Sequence, residues 1–94
     1  MKIEWTPLAL THLQSTYDYI ARDNSAAAEK IIGQIFGVAE RLADYPNMGR
    51  AGRIEGTREL VIPGRSFIVV YRVQRNGLQI LAVLHTSRRW PERL

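Results

Sequence analysis

The stretch "NMGRAGRIEGTRELVI", residues 47–62, sets Arg50, Arg53 and Arg58 among Gly49, Gly52 and Gly56. Arginine carries a permanent charge on a planar fork that fits a carboxylate or a phosphate in two-point contact. Glycine gives the backbone turns that a side chain would forbid. The pattern suits a charged segment that grips an oxyanion, and equally a connection where the chain must turn. Glu55 and Glu59 stand close enough to staple the same segment through ion pairs. It is not a nucleotide-binding phosphate loop, because it lacks the Gly-Lys-Ser/Thr ending and follows a helical pattern instead of a strand. At most its amides form a weak anion nest.

Other chemistry has little to work with. The chain has no cysteine, hence no thiolate nucleophile, disulfide framework or thiolate metal ligand. His12 and His85 are the only histidines. A nucleophilic triad is weakly supported, and no His/Asp/Glu group has metal-ligand spacing, so neither a metal nor a cofactor is expected. His12 sits on the flank of an apolar helical stripe and reads as a surface histidine. His85 ends an apolar run just before Thr86, Ser87, Arg88 and Arg89, and strand alternation would put it on one face with Gln79, Leu81 and Val83. It is either a general base beside arginines that stabilise a phosphate transition state or a local hydrogen-bonding group that pins the tail. Trp90, beside Pro91, either stacks on a nucleobase or clamps the tail against the core.

Charge is partitioned along the chain. Residues 1–49 hold four basic and six acidic residues, and residues 50–94 hold nine basic and three acidic, so a half at −2 precedes a half at +6. Eleven of the thirteen basic residues are arginine, which favours forked recognition of phosphate or of an acidic partner protein over diffuse lysine charge. The 94 residues are enough for one domain, residues 1–94, around a single core. No apolar run has the length of a membrane span, and "MKIEWTPLAL" lacks the apolar segment of a secretory leader, so a cytoplasmic protein is expected.

The elements that must position these side chains follow from periodicity. "KIEWT" alternates as a short strand, with Ile3 and Trp5 on one face. Thr6-Pro7 is a helix start, and Leu10, Leu13, Tyr17 and Ile20 continue a helical stripe to about Arg22. Asn24 or Ser25 caps a second helix, with Ala28, Ile31, Ile32, Ile35, Phe36, Ala39 and Leu42 on its apolar face, and Pro46 stops it. The period then changes to two. "RELVI" is a strand with Leu60 and Ile62 on one side and Glu59 and Val61 on the other, "PGRS" is a turn, and "FIVVYRV" is a strand apolar on both faces. Asn76-Gly77 signals a hairpin turn into "LQILAVLH". The predicted fold is α+β in the order β-α-α-β-β-β, a helical hairpin packed on one face of a small, mostly antiparallel sheet.

Taken together, "WTPLAL", "YIARDNSAAAEKI", "YPNMGRAGRIEGTRELVI", "IVVYRV", "ILAVLH" and the arginine of "VLHTSR" resemble the RelE/ParE superfamily of type II toxin–antitoxin toxins, nearly end to end. The resemblance implies the same helical hairpin on a small sheet, and a cognate antitoxin that wraps and neutralises the toxin in a hetero-oligomer. RelE-like members cut mRNA in the ribosomal A site with basic strand residues and a tyrosine or histidine near the C-terminus. Here Ile68 stands where their third strand usually carries arginine, "RELVI" offers Glu59 and Val61 instead of a lysine pair, and no tyrosine follows Tyr71.

"VLH..R" with "GR.GR...TREL" is more similar to the ParE branch, whose members inhibit DNA gyrase by binding and do not cut nucleic acid themselves. That resemblance implies a contact surface of Arg50, Arg53, Arg58, Arg88, Arg89 and Trp90, without catalytic residues. The alternative is a ribosome-dependent mRNA endonuclease with a rearranged site of Arg58, Arg65, His85 and Arg88. A third reading is a toxin-derived chain that only binds its antitoxin.

Overall fold

The structure, a computed structural model, describes residues 1–86. Strand β1 (Lys2–Trp5) runs directly into helix α1 (Pro7–Ala21). The Thr6 hydroxyl accepts the Ala9 N–H at 3.1 Å, and proline fills a first-turn position whose N–H would have no helical partner. Helix α2 (Ser25–Asp44) is capped by Asn24, whose side-chain oxygen accepts the Ala27 N–H at 3.1 Å. It ends one residue before the position that Pro46 bars from helical geometry.

Strands β2 (Arg50–Ala51), β3 (Arg58–Val61), β4 (Phe67–Gln74) and β5 (Gly77–His85) complete one sheet in the order β1-β5-β4-β3-β2. Only the β1–β5 pair is parallel. The architecture is thus the expected α+β fold, with a two-residue strand added inside the crossing from helices to sheet.

The helical hairpin covers one face. Leu13, Ile31, Ile35 and Leu42 pack with Val69, Tyr71, Ile80 and Val83 in the main core. Ile68, Val70, Leu81, Ala82 and Leu84 form a second buried cluster on the opposite face. Burial on both sides explains why "FIVVY" is continuously apolar and not alternating. Between the two clusters the pairing steps from Val70↔Ala82 to Tyr71↔Ile80, so Leu81 is an extra residue in β5. This bulge shifts the alternation by one. His85 therefore shares its face with Val83, Ile80 and Leu78, not with Gln79 and Leu81 as unbroken alternation predicts.

Two glycine positions separate local from tertiary causes. At Ile62–Arg65 the Arg65 N–H donates to the Ile62 carbonyl at 3.1 Å and Gly64 has φ +72, the conformation a type II turn requires after proline. The β4–β5 hairpin differs from its sequence signal: Gln74 pairs with Gly77, so Arg75 and Asn76 make the turn. Gly77 instead lies where an added Cβ would strike the Lys2 carbonyl of β1. Its glycine serves the close approach of a parallel neighbour.

His12 also departs from its surface reading. Past Trp5, β1 leaves the edge of β5, and α1 replaces it. The Thr6 N–H donates to the Ile80 carbonyl, the Thr6 hydroxyl to the Leu81 carbonyl, and His12 Nδ1 accepts the Val83 N–H at 3.2 Å. Burial lowers the His12 pKa, and acceptance at Nδ1 places the proton of the neutral ring on Nε2. At the outer edge of the helices, Leu10 is 50% exposed and Phe36 42%, although both belong to the predicted apolar stripes. The stripes are wider than the sheet can cover, and these residues line an open groove with Leu13, Tyr17 and Ile32.

Ile35, fully buried, should lose about 2–5 kcal/mol on replacement by alanine, whereas half-buried Ile32 should lose less. Chemical denaturation of the two variants checks the helical register. The His12 contribution to stability should be fully present above its ordinary pKa of 6.5 and be lost as pH falls through the lower folded value, because the unfolded chain takes up the proton first. Urea unfolding at about pH 7.5 and about pH 5.5 should show a smaller loss in His12→Ala than in the wild type.

Candidate functional site

The crossing from α2 to the sheet is anchored on one hydroxyl. Tyr71, fully buried in β4, donates to the Pro46 carbonyl at 2.7 Å and accepts the Gly49 N–H at 2.9 Å. A Cβ on Gly49 would lie 2.6 Å from that hydroxyl and 2.8 Å from the Glu59 carbonyl, so only glycine fits. Burial raises the Tyr71 pKa, against the opposing effects of the Gly49 hydrogen bond and the Arg58 charge, which keeps the phenol protonated as a donor.

Beyond Gly49, β2 and β3 form a small hairpin. Gly52 donates to the Thr57 carbonyl at 2.8 Å, the Thr57 N–H to the Ile54 carbonyl at 3.1 Å, and Gly56 has φ +81. The positive φ of Gly56 is a turn requirement and an added Cβ on Gly52 would strike Thr57, so these two glycines serve the hairpin's shape, while Gly49 serves the approach to Tyr71.

The charge in this hairpin is organised around Glu59. It is only 3% exposed, the one buried charged residue among those described. Its Oε1 meets Arg50 Nη2 at 3.3 Å, while Oε2 accepts the Arg53 backbone N–H at 2.8 Å and lies 3.4 Å from Arg53 Nε. The carboxylate is thus shared between two guanidinium-bearing side chains that remain 61% and 54% exposed. Glu55 is exposed and takes no part in these ion pairs.

Arg58 is separated from that pair. It precedes Glu59 in β3 and so points to the opposite face of the sheet. Its Nη1 donates to the Gly49 carbonyl at 2.7 Å, close to Tyr71, with which it pairs across the strands.

The residues of a rearranged catalytic set are also spread. Arg58 is level with Tyr71, and His85 with Phe67, four residues away along β4 and roughly 13 Å by strand rise. The His85 ring meets Phe67 edge-on at a centroid distance of 5.2 Å. Arg65 Nε is 3.3 Å from Gln34 Oε1, whose amide nitrogen donates to the Pro63 carbonyl, so Arg65 helps tie α2 to the β3–β4 turn. Arg88, Arg89 and Trp90 lie outside the described residues. Among the described residues no group of three His, Asp or Glu is placed to hold a metal ion. No described helix is long and apolar enough to cross a membrane.

Fold and site define a small two-layer domain that displays paired arginines on a hairpin beside its sheet. A family model described as the ParE toxin of the type II toxin–antitoxin system, parDE, matches residues 3–90. The chain is 40% identical to "Putative toxin Y4kP" of Sinorhizobium fredii over 91 residues, covering 97% of this chain and 94% of that protein. It is 28% identical to Toxin RelE2 of Caulobacter vibrioides over 87 residues, 93% and 97% of the two chains. Among solved structures it is similar to a chain of the chromosomal ParDE system from P. aeruginosa, with a TM-score of 0.82, 26% identity, and coverage of 93% and 97%. This chain belongs to the ParE toxin family of type II toxin–antitoxin systems.

Glu59 stands among the arginines as one possible staple by spacing alone, whereas no spacing in the sequence assigns Tyr71 a role. The signal for Tyr71 was a polar-tipped side chain inside a run apolar on both faces, which must find partners for its hydroxyl when buried. Removing Arg50 and Arg53 together by alanine leaves the buried Glu59 carboxylate with the Arg53 backbone N–H. The double variant should melt earlier than wild type, and adding Glu59→Gln should recover part of the loss, because the unpaired charge is its cause. Thermal melting of the double and triple variants checks this.

Proposed function

We propose that the chain is the toxin of a type II pair that arrests growth by binding and inhibiting DNA gyrase, with no catalytic apparatus of its own, and that a cognate antitoxin neutralises it. The observation that carries this reading is the exposed Arg50–Arg53 pair on a hairpin of a ParE-family chain, held by a buried carboxylate. A contact surface needs charge held in a fixed place, and a bidentate or paired guanidinium keeps more of its interaction energy than a mobile one. Arg88, Arg89 and Trp90 extend this proposed surface by sequence.

The separation of Arg58 from His85 favours binding over cutting. A nuclease that orients a 2′-hydroxyl and stabilises charge at one phosphate needs its groups within hydrogen-bond reach of the same atoms.

The antitoxin reading is supported by the relationship to a chain of a ParDE system and by the open groove of Leu10, Tyr17, Ile32 and Phe36. A segment that folds on contact would bury this apolar surface.

Expression of the chain without its antitoxin should stop DNA supercoiling before translation, measured on plasmid topoisomers and by amino-acid incorporation. Early translational arrest with intact supercoiling would overturn the gyrase reading and restore the nuclease. Co-expression with the product of the adjacent gene should yield a stable complex and rescue growth.

A further inference from the structure

The outer face of the sheet, away from the helices, holds a buried cluster that no described element crosses. Ile68, Val70, Leu81, Ala82 and Leu84 are each at most 9% exposed. Both helices pack against the opposite face. The β3–β4 turn leans to the helix side, where Arg65 meets Gln34 of α2. The β2–β3 turn reaches the outer face only beside Val70, where the Arg53 N–H meets Glu59, the partner of Val70 across the strands. A bare sheet face leaves leucine and isoleucine side chains in water, yet this burial is reached within one chain. Its cover is narrow. Val61, in register with Ile68 on the same face, is 42% exposed, and Arg72, further along β4, is exposed as well. The covered patch therefore spans β4 and β5 over the length from Ala82 to Leu84, about 5 Å by about 7 Å. One large aromatic ring fills such a footprint.

Residues 87–94, outside the described residues, are the part of the chain left to supply that cover. The Thr86 N–H donates to the Ser66 carbonyl at 2.8 Å, so the β4–β5 ladder continues past His85. The chain thus leaves the sheet at the end where Ile68 and Leu84 pair. Trp90 comes four residues after Thr86, a reach of up to roughly 14 Å, and Leu84 is about 7 Å back along the strand. Trp90 and Leu94 are the large apolar side chains of the segment. We propose that residues 87–94 fold back across the outer face with the Trp90 indole seated on Ile68, Ala82 and Leu84. One consequence rests on the target-binding reading above: with Trp90 facing the sheet, its neighbour Arg89 faces solvent on the face that carries Arg50. Trp90 then serves that surface by placing its arginine neighbours, not by stacking on a target.

The experiment is NMR of the full chain, with the indole N–H resonances of Trp5 and Trp90 told apart by the Trp90→Phe variant. The Trp90 ring should show NOEs to the methyl groups of Ile68 and Leu84 at every protein concentration. Trp90→Ala should lower the melting temperature by about 5 °C or more and expose the cluster to an apolar dye, and Trp90→Phe should recover much of that shift. Should Trp90→Ala fail to fold, the wild-type NOEs still decide. A Trp90 ring with no contact to either methyl group, or a Trp90→Ala variant that melts with the wild type, overturns the strap. NOEs that appear only as concentration rises assign the face to a second copy of this chain. Cluster methyl groups that become protected only when the product of the adjacent gene is added assign it to that partner, and either result overturns the proposal. The contact and the target are read separately. If the ring meets the cluster and supercoiling survives, the strap stands and the gyrase reading alone fails. If supercoiling stops and the ring meets neither residue, the strap alone fails.

Discussion

The Tyr71 hydroxyl joins the two halves of the molecule. The helical hairpin is built from local contacts and could close without the sheet's far edge, but the chain must then return to pair with β4. Tyr71 fixes that return by taking both the carbonyl of Pro46 and the N–H of Gly49. A buried phenol with one hydrogen bond missing would leave a backbone group unsatisfied, at a cost of about 1–3 kcal/mol. The interaction also sets the register of everything downstream. With Gly49 held against Tyr71, Arg50 falls opposite Glu59 and Ala51 opposite Arg58. The paired arginines therefore owe their position to a tyrosine in the middle of the sheet.

That dependence explains why a buried acid is tolerated in so basic a half of the chain. Burying a carboxylate alone is unfavourable, and Glu59 is stable in its place because three donors from Arg50 and Arg53 converge on it. The partition has a sharper form in three dimensions than along the sequence. Alternation in β3 sends Glu59 and its two arginines to one face and Arg58 to the other, where it ties Gly49 instead. Five nominally equivalent loop and strand arginines are thereby divided among different tasks: a displayed pair, a backbone tie, and at Arg65 and Arg72 contacts to Gln34 and Gln79. Arg75, in the β4–β5 turn, makes no such contact among the described residues.

Features decided by a few adjacent residues were legible in the sequence. Thr6-Pro7 starts α1, Asn24 caps α2, Pro46 ends it, and Ile62-Pro63-Gly64-Arg65 turns β3 into β4, each by local steric or hydrogen-bonding rules. What the sequence hid depends on neighbours distant along the chain. Asn76-Gly77 imitates a hairpin turn, yet Gly77 is glycine because Lys2 lies beside it. The Leu81 bulge has no mark in "LQILAVLH", and it reverses which residues accompany His85. His12 appeared peripheral because nothing in α1 reveals that β1 ends early and leaves the Val83 N–H to be satisfied. The arginines of the candidate site were visible by type and spacing, but their division between two faces was not, since the two-residue strand that creates it is too short to have a period.

The same geometry bears on how one fold can serve chemically different ends. Phosphoryl chemistry requires acid, base and charge-stabilising groups around a single phosphorus, within a few ångströms of one another. A binding surface requires only that its groups face the same partner. In this chain Ile68, on the central strand β4, is buried among Val70, Ala82 and Leu84. The middle of the sheet, where a basic strand residue would have to stand, is thus apolar and closed. Charge has been moved outward to the edge hairpin, and Arg58 and His85 are left near opposite ends of the β4 segment that they flank. An apolar centre stabilises the sheet from both faces, while an arginine at Ile68 would place an ion in that cluster at the cost of desolvation. Strengthening the core at this position and supplying a catalytic cation there are therefore mutually exclusive, and the chain has the first.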